Sequence, residues 1–560
     1  MKKVKGKSQK FDSVKEPTMQ PISEASTSKK ISFFSAMMVV VGSSVGAGIF
    51  LRSASVLEHA QGSLPLAILS WLVASFAVIA MALSLIEIAS ARNDNLSLIG
   101  WCKTFNSRIM YKASKNFMFY IYLPLTYFFM PMYVLIQLQD GIGVWTHTTI
   151  ASDGVVSLGS FTFGTNVDWL IWGAISIVIS IYFIMSAGLS SKVGNIQNLL
   201  ISFVKFIPLL IAAFIGYAFV AMNGTGGIET APGVPVPPEI GATPVNPFYD
   251  PTRFSTFNPG FGMFLAISGI FFAYDGFYVT AGLQTEMKEP QKTPKAILFG
   301  LIIVTVIYLA IAISMSLNGT GSFYGFGEWL VGENLGWLFG IINILISIGI
   351  LGIINGFSLW APRFVEDLIK ENELPFSNKY VNKLNANKPI VGIKYTLFAS
   401  IPIMVLFTII GALAFENTGN YPDYGSGMAS LYSFCDIVAN WTAVFAFAFI
   451  TAAIYGGIRN RKTQKIETQK YKNFMPYAIT AVGIMSVTLF ITVLNPIIDL
   501  MLIYVPNANI SQEGLLGRIM LVIVLILFIA IMFVPTIIED KINEKRSGKK
   551  TTLDLQENLE

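Results

Sequence analysis

The sequence is poor in the side chains from which metal sites and many enzyme active sites are built. Its 560 residues include two cysteines and two histidines. Cys102 falls in a predicted loop and Cys435 in an apolar segment, so the two are not expected to pair, and no metal-ligand spacing occurs. His59 and His147 both fall near predicted outer ends, and no nucleophile with a neighbouring base can be assembled. We therefore expect no enzyme, metal site or cofactor.

Charged residues are also scarce. They make up 13% of the chain, against 53% hydrophobic residues, and the mean hydropathy is +0.61. This composition is too apolar for a soluble protein and is typical of a membrane protein with many spans. The sequence lacks a phosphate-binding G-x-x-x-x-G-K-[ST] loop, so ATP is not the expected energy source. The net charge of +5 gives no reason to expect nucleic acid as a partner, because it follows from orientation in the bilayer.

Apolar runs of about 20 residues, the length that crosses a bilayer, predict twelve membrane-spanning segments. We number them 1 to 12, and they cover residues 32–57, 64–90, 117–146, 168–188, 196–222, 260–286, 294–317, 337–361, 394–415, 428–457, 474–495 and 517–537. When both termini are placed in the cytoplasm, the cytoplasmic segments hold 34 of the 38 lysines and arginines. The first 30 residues contain eight lysines and no apolar core, which predicts a solvated tail and not a cleavable signal peptide. We expect an all-α, multi-pass protein of a cell membrane with cytoplasmic ends.

Segment 1 is interrupted by Val41-Gly42-Ser43-Ser44-Val45-Gly46-Ala47-Gly48-Ile49-Phe50. Three glycines within seven residues make a poor helix interior, since glycine costs about 1 kcal/mol relative to alanine. A broken helix in a bilayer must find partners in the protein or in a water-filled cavity. The N–H groups that start the second half-helix would then suit an anion such as an amino acid carboxylate. The alternative is a glycine-rich face that allows two helices to pack closely.

Segment 6 contains a similar interruption, Phe271-Phe272-Ala273-Tyr274-Asp275-Gly276-Phe277. Paired interruptions in corresponding positions of two halves are typical of the binding site of a transporter. Five segments separate the two starts, and an odd repeat must insert the second time upside down. The predicted organisation is therefore a basic tail (1–31), a first inverted repeat (32–222), an external Pro/Gly-rich loop (223–259), a second inverted repeat (260–457), segments 11 and 12 (458–537) and a cytoplasmic tail (538–560).

These residues resemble the amino acid-polyamine-organocation superfamily of permeases. Residues 42–50 are similar to its G-S-x-I-G-x-G-I-F motif, and residues 271–277 to its F-F-A-Y-x-G-F motif. Two further stretches, Glu286 to Pro290 and Pro294 to Ile297, are similar to E-x-K-N-P and P-x-A-I. Arg363 and the Glu373-Leu374-Pro375 stretch resemble a third family element. The match runs through segments 1 to 10 in order.

The resemblance implies a LeuT-type fold with five-plus-five inverted repeats, alternating access, and an α-amino acid held between segments 1 and 6. The implied carboxylate site is the N–H groups around Ser44, Gly46, Ala47 and Gly48, with Ser43 beside them. The implied ammonium site is the carbonyls near Val41, Phe271, Phe272 and Tyr274, with Ala273 and Asp275 in the same stretch. Phe272 resembles an aromatic residue that closes over bound substrate. Core packing is the alternative role for that ring.

Two charged residues inside segments are further candidates. Lys205 lies roughly 13 Å from the start of segment 5 at 1.5 Å per residue, a long reach for a side chain to water. It resembles a family lysine thought to occupy the place that sodium takes between segments 1 and 8 in sodium-coupled relatives. An acid within the membrane is a functional candidate by default, which applies to Asp275 and Asp436. Asp275 favours a cationic substrate if it faces the pocket, or serves as a cap for a second half-helix of segment 6.

The predicted function is secondary active transport of amino acids, sodium-independent and either proton-coupled or exchanging. A transporter or antiporter of polyamines or cationic amino acids is an alternative within the same superfamily. A channel or receptor is the alternative of a different class, but a channel calls for repeated polar residues along several segments. Segments 3, 6, 8 and 10 would form the pocket for the substrate side chain.

Overall fold

A computed structural model describes residues 32–46, 48–91, 96–150, 156–223, 253–254, 259–278, 287–289, 292–385, 388–415, 424–504 and 512–547. The basic tail, most of the predicted external loop and the last part of the second tail lie outside these ranges. The predicted boundaries of those regions therefore remain predictions.

The described chain is built almost entirely of helices. We number the α-helices in chain order: α1 (Phe33–Ser44), α2 (Gly48–His59), α3 (Leu64–Ala89), α4 (Leu98–Phe105), α5 (Arg108–Phe117), α6 (Leu123–Thr146), α7 (Asp168–Leu189), α8 (Ser191–Val204), α9 (Phe206–Asn223), α10 (Pro259–Ala273), α11 (Thr293–Ser316), α12 (Gly327–Gly332), α13 (Gly336–Lys370), α14 (Ser377–Tyr380), α15 (Ile390–Ile409), α16 (Met428–Thr463), α17 (Phe474–Leu502) and α18 (Gln512–Ser547). Two π-helical turns, Met118–Tyr122 and Ile410–Ala414, join α5 to α6 and extend α15. Two 3-10 turns cover Tyr324–Phe326 and Val381–Lys383, and the strands β1 (Thr149–Ile150) and β2 (Val156–Ser157) form an antiparallel hairpin.

Ten helical stretches among the described residues are long and apolar enough to cross a membrane, and they coincide with predicted segments 2 to 5 and 7 to 12. The two remaining segments behave differently. Segment 1 contains the shorter apolar helix Phe33–Gly42, and segment 6 contains Gly260–Ala273. Within the described residues, neither segment contains a helix of spanning length. These two segments are the ones that carry the glycine-rich and Asp-Gly interruptions, which shorten a helix because glycine disfavours it.

Several helix ends differ from the predicted bounds. The helix of segment 3 begins at Arg108, that of segment 8 runs to Lys370, and that of segment 12 runs to Ser547. A search for apolar runs stops where charged residues begin, but here those residues continue the helices and pair with one another. Arg108 donates to Asp540 at 2.8 Å, and Lys112 bonds Glu373 at 2.7 Å. The ion pairs join α5 to α18 and to Glu373, which follows the end of α13.

Another ion pair joins α3 to α16. Arg461 donates through Nε to Glu87 at 2.7 Å, and the Tyr471 N–H donates to the same carboxylate at 2.8 Å. Elsewhere α13 packs along α6, α1 packs along α11, and α2 packs against α10. These contacts place the interruptions of segments 1 and 6 side by side, within reach of α6, α11 and α13.

Candidate functional site

The interruption of segment 1 is a short non-helical link between α1 and α2. Ser43 and Ser44 form the last turn of α1, and Val45 is extended, with φ −77° and ψ 109°. The Val45 N–H donates to the Val41 carbonyl at 2.8 Å, which closes the helix. Helix α2 begins at Gly48, so its first N–H groups have no preceding turn to bond them. Ala47, also predicted to bind the carboxylate, lies outside the described residues.

The interruption of segment 6 follows Ala273, the last residue of α10. Residues 274–278 form turns, and Gly276 has φ 100°, in the left-handed region that glycine tolerates. Residues 279–286 are outside the described ranges, so the predicted second half-helix of segment 6, and Asp275 as its cap, stay predictions.

The two interruptions touch at Gly48 and Ala273. A Cβ atom added at Gly48 would lie 2.7 Å from the Cα of Ala273, closer than real side chains approach backbone. Glycine is therefore required at this position by the distance between the two backbones. Gly46 differs, because an added Cβ would meet only the Cδ1 of Ile353, at 3.5 Å. Its face is open toward α13.

The predicted ammonium acceptors already accept one hydrogen bond each. The Phe271 carbonyl accepts from the Tyr274 N–H at 3.1 Å, and the Phe272 carbonyl from the Asp275 N–H at 3.2 Å. The Tyr274 carbonyl accepts from the Phe277 N–H at 3.2 Å. The Val41 carbonyl is engaged as well, and among the described residues each of the four keeps one lone pair for a further donor. The ring of Phe271 packs on Phe447 with centroids 5.0 Å apart, so its side chain belongs to the core.

Tyr308 on α11 contacts both interruptions. Its hydroxyl lies 2.7 Å from the Ser44 carbonyl and 2.8 Å from the Ala273 carbonyl, and the Gly46 N–H donates to it at 3.4 Å. The residue is fully buried. Nothing in its apolar surroundings in the sequence marks this tyrosine, so sequence reasoning missed it.

Lys205 interrupts segment 5 between α8 and α9 and reaches segment 1. Its Nζ donates to the carbonyls of Gly42 at 3.0 Å and Val45 at 3.2 Å. Its Cβ is 3.4 Å from where a Cβ of Gly349 on α13 would lie. The ammonium thus lies at the end of α1, beside segment 8, and binds carbonyls at the end of that helix.

Asp275 faces segment 3. Its Oδ2 accepts from the Tyr122 hydroxyl at 2.7 Å, and Tyr122 lies 3.2 Å from the hydroxyl of Tyr278. Among the described residues, its Oδ1 is buried without a hydrogen-bond partner, and so is the Oγ of Ser44. Buried polar atoms are nearly always bonded. These two atoms, one at each interruption, are therefore available to form hydrogen bonds with a polar ligand.

Arg52 and Asp436 cover Phe272. Arg52 is fully buried on α2, bonds Asp436 at 2.7 Å and donates to the Tyr133 hydroxyl at 2.5 Å. Its guanidinium lies 4.4 Å from the centroid of the Phe272 ring, a cation–π contact. Sequence reasoning singled out Asp436 but not its partner. One arginine and one aspartate in different apolar segments was the available signal.

A first prediction concerns Gly46. Replacing it by leucine is expected to abolish substrate uptake, because the side chain would fill the space between the interruption and Ile353. Gly46→Ala is the matched variant, whose single methyl group makes an ordinary contact with Ile353. Uptake into proteoliposomes, with insertion verified for both variants, provides the measurement. Normal uptake by the leucine variant would contradict the prediction that substrate binds beside Gly46.

Comparison with known proteins gives a family and several relatives. A model of the amino acid permease family matches residues 31–529. An uncharacterized protein of Mycoplasma pneumoniae is 47% identical over 551 residues, covering 93% of this chain and 95% of the relative. The serine/threonine exchanger SteT of Bacillus subtilis is 25% identical over 364 residues, covering 63% and 70% of the two chains.

Two solved structures also resemble the chain. A manganese transporter of Eremococcus coleocola, in complex with an aromatic bis-isothiourea substituted compound, has a TM-score of 0.45 and 16% identity, covering 90% of this chain and 94% of the other. MhsT in complex with L-phenylalanine has a TM-score of 0.41 and 15% identity, covering 84% and 100%.

Proposed function

Because the chain belongs to the amino acid permease family, we propose that it carries an α-amino acid across the cell membrane by sodium-independent secondary transport. Its small-molecule cargo and its place in a membrane follow from the family. The proposal adds alternating access, both termini in the cytoplasm, and twelve segments, of which 1 to 5 and 6 to 10 form inverted repeats. The observation that carries the sodium-independent mechanism is the bond from Lys205 to the carbonyls of segment 1.

The substrate backbone is proposed to bind between the two interruptions. The carboxylate is matched by the first N–H groups of α2, which the helix dipole makes favourable for an anion. The ammonium is matched by carbonyls at the ends of α1 and α10, where further lone pairs are available. The Ser44 Oγ, which is buried without a hydrogen-bond partner among the described residues, belongs to the last turn of α1.

Lys205 is proposed to supply the positive charge that holds segment 1 closed. Carbonyl oxygens at a helix end attract a cation, by direct bonding and through the negative end of the dipole. A protonated lysine satisfies two of these carbonyls without a bound metal ion. Loss or displacement of its proton would release them. Opening of segment 1 would thereby depend on proton movement in a symporter, or on the next substrate in an exchanger.

The cluster of Arg52, Asp436 and Tyr133 is proposed to close the external side. With the N-terminus in the cytoplasm, α2 runs outward from the interruption, so Arg52 lies on its outer side. Arg52 forms its ion pair with Asp436 and its cation–π contact with the Phe272 ring on that side. Separating these groups would open the site to the outside.

L-Serine and L-threonine are the first substrates to test, because the exchanger SteT carries these amino acids in its name. The purified protein in proteoliposomes should take up one or more of a panel of labelled amino acids, equally with sodium or with potassium outside. Uptake should respond to a pH gradient or to amino acid inside the vesicle. Absence of uptake across the whole panel, or stimulation by sodium, would overturn the proposal.

A second prediction tests whether Asp275 selects cations. Its buried Oδ1, which has no hydrogen-bond partner among the described residues, favours the alternative of cationic amino acids or polyamines as cargo. We nevertheless expect neutral amino acids to be transported at least as well, because the carboxylate already takes a bond from Tyr122. Asp275→Asn keeps an oxygen acceptor for that bond and should retain neutral uptake.

The same panel, extended to lysine, arginine and putrescine, decides between these cargoes. Strong wild-type preference for the cationic compounds, lost in Asp275→Asn, would show that the acid reads the substrate. Tyr122→Phe is the companion variant, since it removes the bond to Asp275 without changing charge.

A further inference from the structure

Asp140 on α6 is a buried carboxylate to which the proposed transport cycle assigns no role. It is 4% exposed and precedes Thr146, the last residue of α6, by about 9 Å along the helix. Its Oδ1 accepts from the Ser160 hydroxyl at 3.0 Å and from the Tyr424 hydroxyl at 2.8 Å. Ser160 belongs to the loop between β2 and α7, and Tyr424 precedes α16. The carboxylate therefore joins α6 to two other elements.

The described surroundings of Asp140 provide hydroxyl donors but no cation. No lysine, arginine or histidine of the described ranges forms an ion pair or a hydrogen bond with it. The ionisable side chains that interact with it from the side of α16 are Tyr424 and Tyr432, and Tyr324 lies beside Tyr424. Tyrosine hydroxyls are uncharged at neutral pH. They donate to the carboxylate or its neighbours without cancelling its charge.

The other elements packed on this end of α6 do not supply a cation to it either. Asp168 begins α7 and accepts from the N–H groups of Phe163 and Thr165 in its own loop. His147, which follows α6, bonds Thr146. The outer halves of α13 and α15, both within the described ranges, contain no charged side chain. An ionised carboxylate buried in this way is unfavourable, and binding a proton neutralises it.

Gln139, the neighbour of Asp140, bonds the same two elements through neutral groups. Its Nε2 donates to the Phe161 carbonyl at 2.7 Å and to the Tyr424 carbonyl at 3.1 Å, and its Oε1 accepts from the Tyr432 hydroxyl. A proton at Asp140 leaves these bonds in place. The bonds to Asp140 itself change, because a hydrogen bond to an ionised acceptor is about twice as strong as one to a neutral acceptor. Proton binding therefore weakens this attachment of α6 without removing it.

The attachment bears on transport because α6 and α16 also hold the proposed outer closure. Tyr133 on α6 and Asp436 on α16 both bond Arg52. Asp140 lies about two turns beyond Tyr133, on the outer side when the N-terminus is in the cytoplasm. Weaker bonding at this end allows α6 and α16 to separate and Arg52 to leave the Phe272 ring.

We infer that Asp140 is a proton-binding site at the outer end of the transporter, and that a proton from the external solution loosens α6 from α16 and favours opening to the outside. This inference rests on the proposed function and deepens it, because it supplies the external proton acceptor that a proton-coupled cycle needs. Unlike Lys205, which bonds carbonyls of segment 1, the described bonds of Asp140 reach neither interruption.

Asp140→Asn tests the site, because asparagine keeps a carbonyl acceptor of the same shape and is uncharged at every pH. The assay is exchange of labelled external L-serine for unlabelled internal L-serine in proteoliposomes, at equal pH on both sides so that no gradient drives transport. The wild-type KM for external L-serine should fall about fivefold from neutral to acidic pH, as the outward-open fraction grows. In Asp140→Asn the KM should stay near the acidic wild-type value and change less than about twofold.

The matched control is Glu333→Gln. Glu333 is an exposed acid directly after α12, and it has no described bond to α6 or α16. Its variant removes the same charge and should keep the wild-type pH profile. If Asp140→Asn does not insert, Tyr424→Phe removes one donor and keeps the carboxyl. Its pH profile should keep its shape with the midpoint moved to higher pH, because the ionised carboxylate has lost a bond that favoured it.

The outcomes separate this inference from the proposed function. If the wild type transports no amino acid of the panel, the proposed function fails. If the wild type exchanges L-serine with a KM that is independent of pH, the proton site is wrong and the proposed transport stands. The site is also wrong if Asp140→Asn keeps the wild-type pH dependence, or if Tyr424→Phe leaves the midpoint unchanged. A low KM at every pH in Asp140→Asn, with a normal profile in Glu333→Gln, supports it.

Discussion

Replacing Lys205 by alanine is expected to abolish accumulation of substrate against a gradient. The variant loses the ammonium that binds the Gly42 and Val45 carbonyls, and alanine offers them no donor. The end of α1 would then lose its link to segment 5. The backbone N–H groups at the start of α2 would be unchanged. We therefore expect a pH gradient to drive wild-type vesicles above equilibration and Lys205→Ala vesicles no further than equilibration.

The control for this experiment is Lys394→Ala. Lys394 is an exposed residue of α15, so it removes the same charge without touching an interruption. Accumulation should match the wild type. An alanine variant at position 205 that still concentrates substrate when driven by pH would contradict the coupling role. Restored accumulation in Lys205→Ala on adding sodium would instead show that the empty place accepts a metal ion.

Ten of the twelve predicted segments correspond to long helices of the structure, because each is an apolar run bounded by loops that could be read from composition. The errors fall at the ends. Arg108 and Asp540 look like loop residues when each is read alone, yet they pair and extend their helices. A partner hundreds of residues away is not visible in a local window of sequence.

The binding roles of the candidate residues stay predictions, and the structure shows where the described ones lie. Glycine content located the segment 1 interruption, and Asp275-Gly276 located that of segment 6. Lys205 was identified by its depth in an apolar segment, and its bonds agree with a place beside segment 1. Which carbonyl oxygens can accept a hydrogen bond from a ligand, however, depends on the geometry of the turns. The turn after Ala273 gives the Phe271, Phe272 and Tyr274 carbonyls one donor each, which residue order does not reveal.

Arg52 and Tyr308 show a further limit. Both side chains are fully buried, and both act through partners on other helices. Charge could have suggested that Arg52 pairs with an acid inside the membrane, Asp436 being one candidate, since isolated charges in a membrane seek one another. Tyr308 had no such signal, because tyrosines are common in these segments and a hydroxyl makes its bonds wherever packing places it.

Gly48→Ala is expected to reduce transport about tenfold or more while leaving the protein inserted. The new methyl group would lie 2.7 Å from the Ala273 Cα, and overpacking of this kind costs about 1–3 kcal/mol. Because the neighbour is backbone, relief requires α2 and α10 to separate. The separation would disturb the carbonyls around Tyr308 and the contact of Arg52 with Phe272 at once.

The control variant is Gly483→Ala on α17, where an added Cβ meets no heavy atom within 4 Å. It makes the same chemical change in another spanning helix and should transport normally. Initial uptake rates of both variants, normalised to the amount of inserted protein, give the comparison. Alanine at position 48 with a wild-type rate would mean that α2 and α10 need not touch during transport, and the binding site would then have to be sought away from their contact.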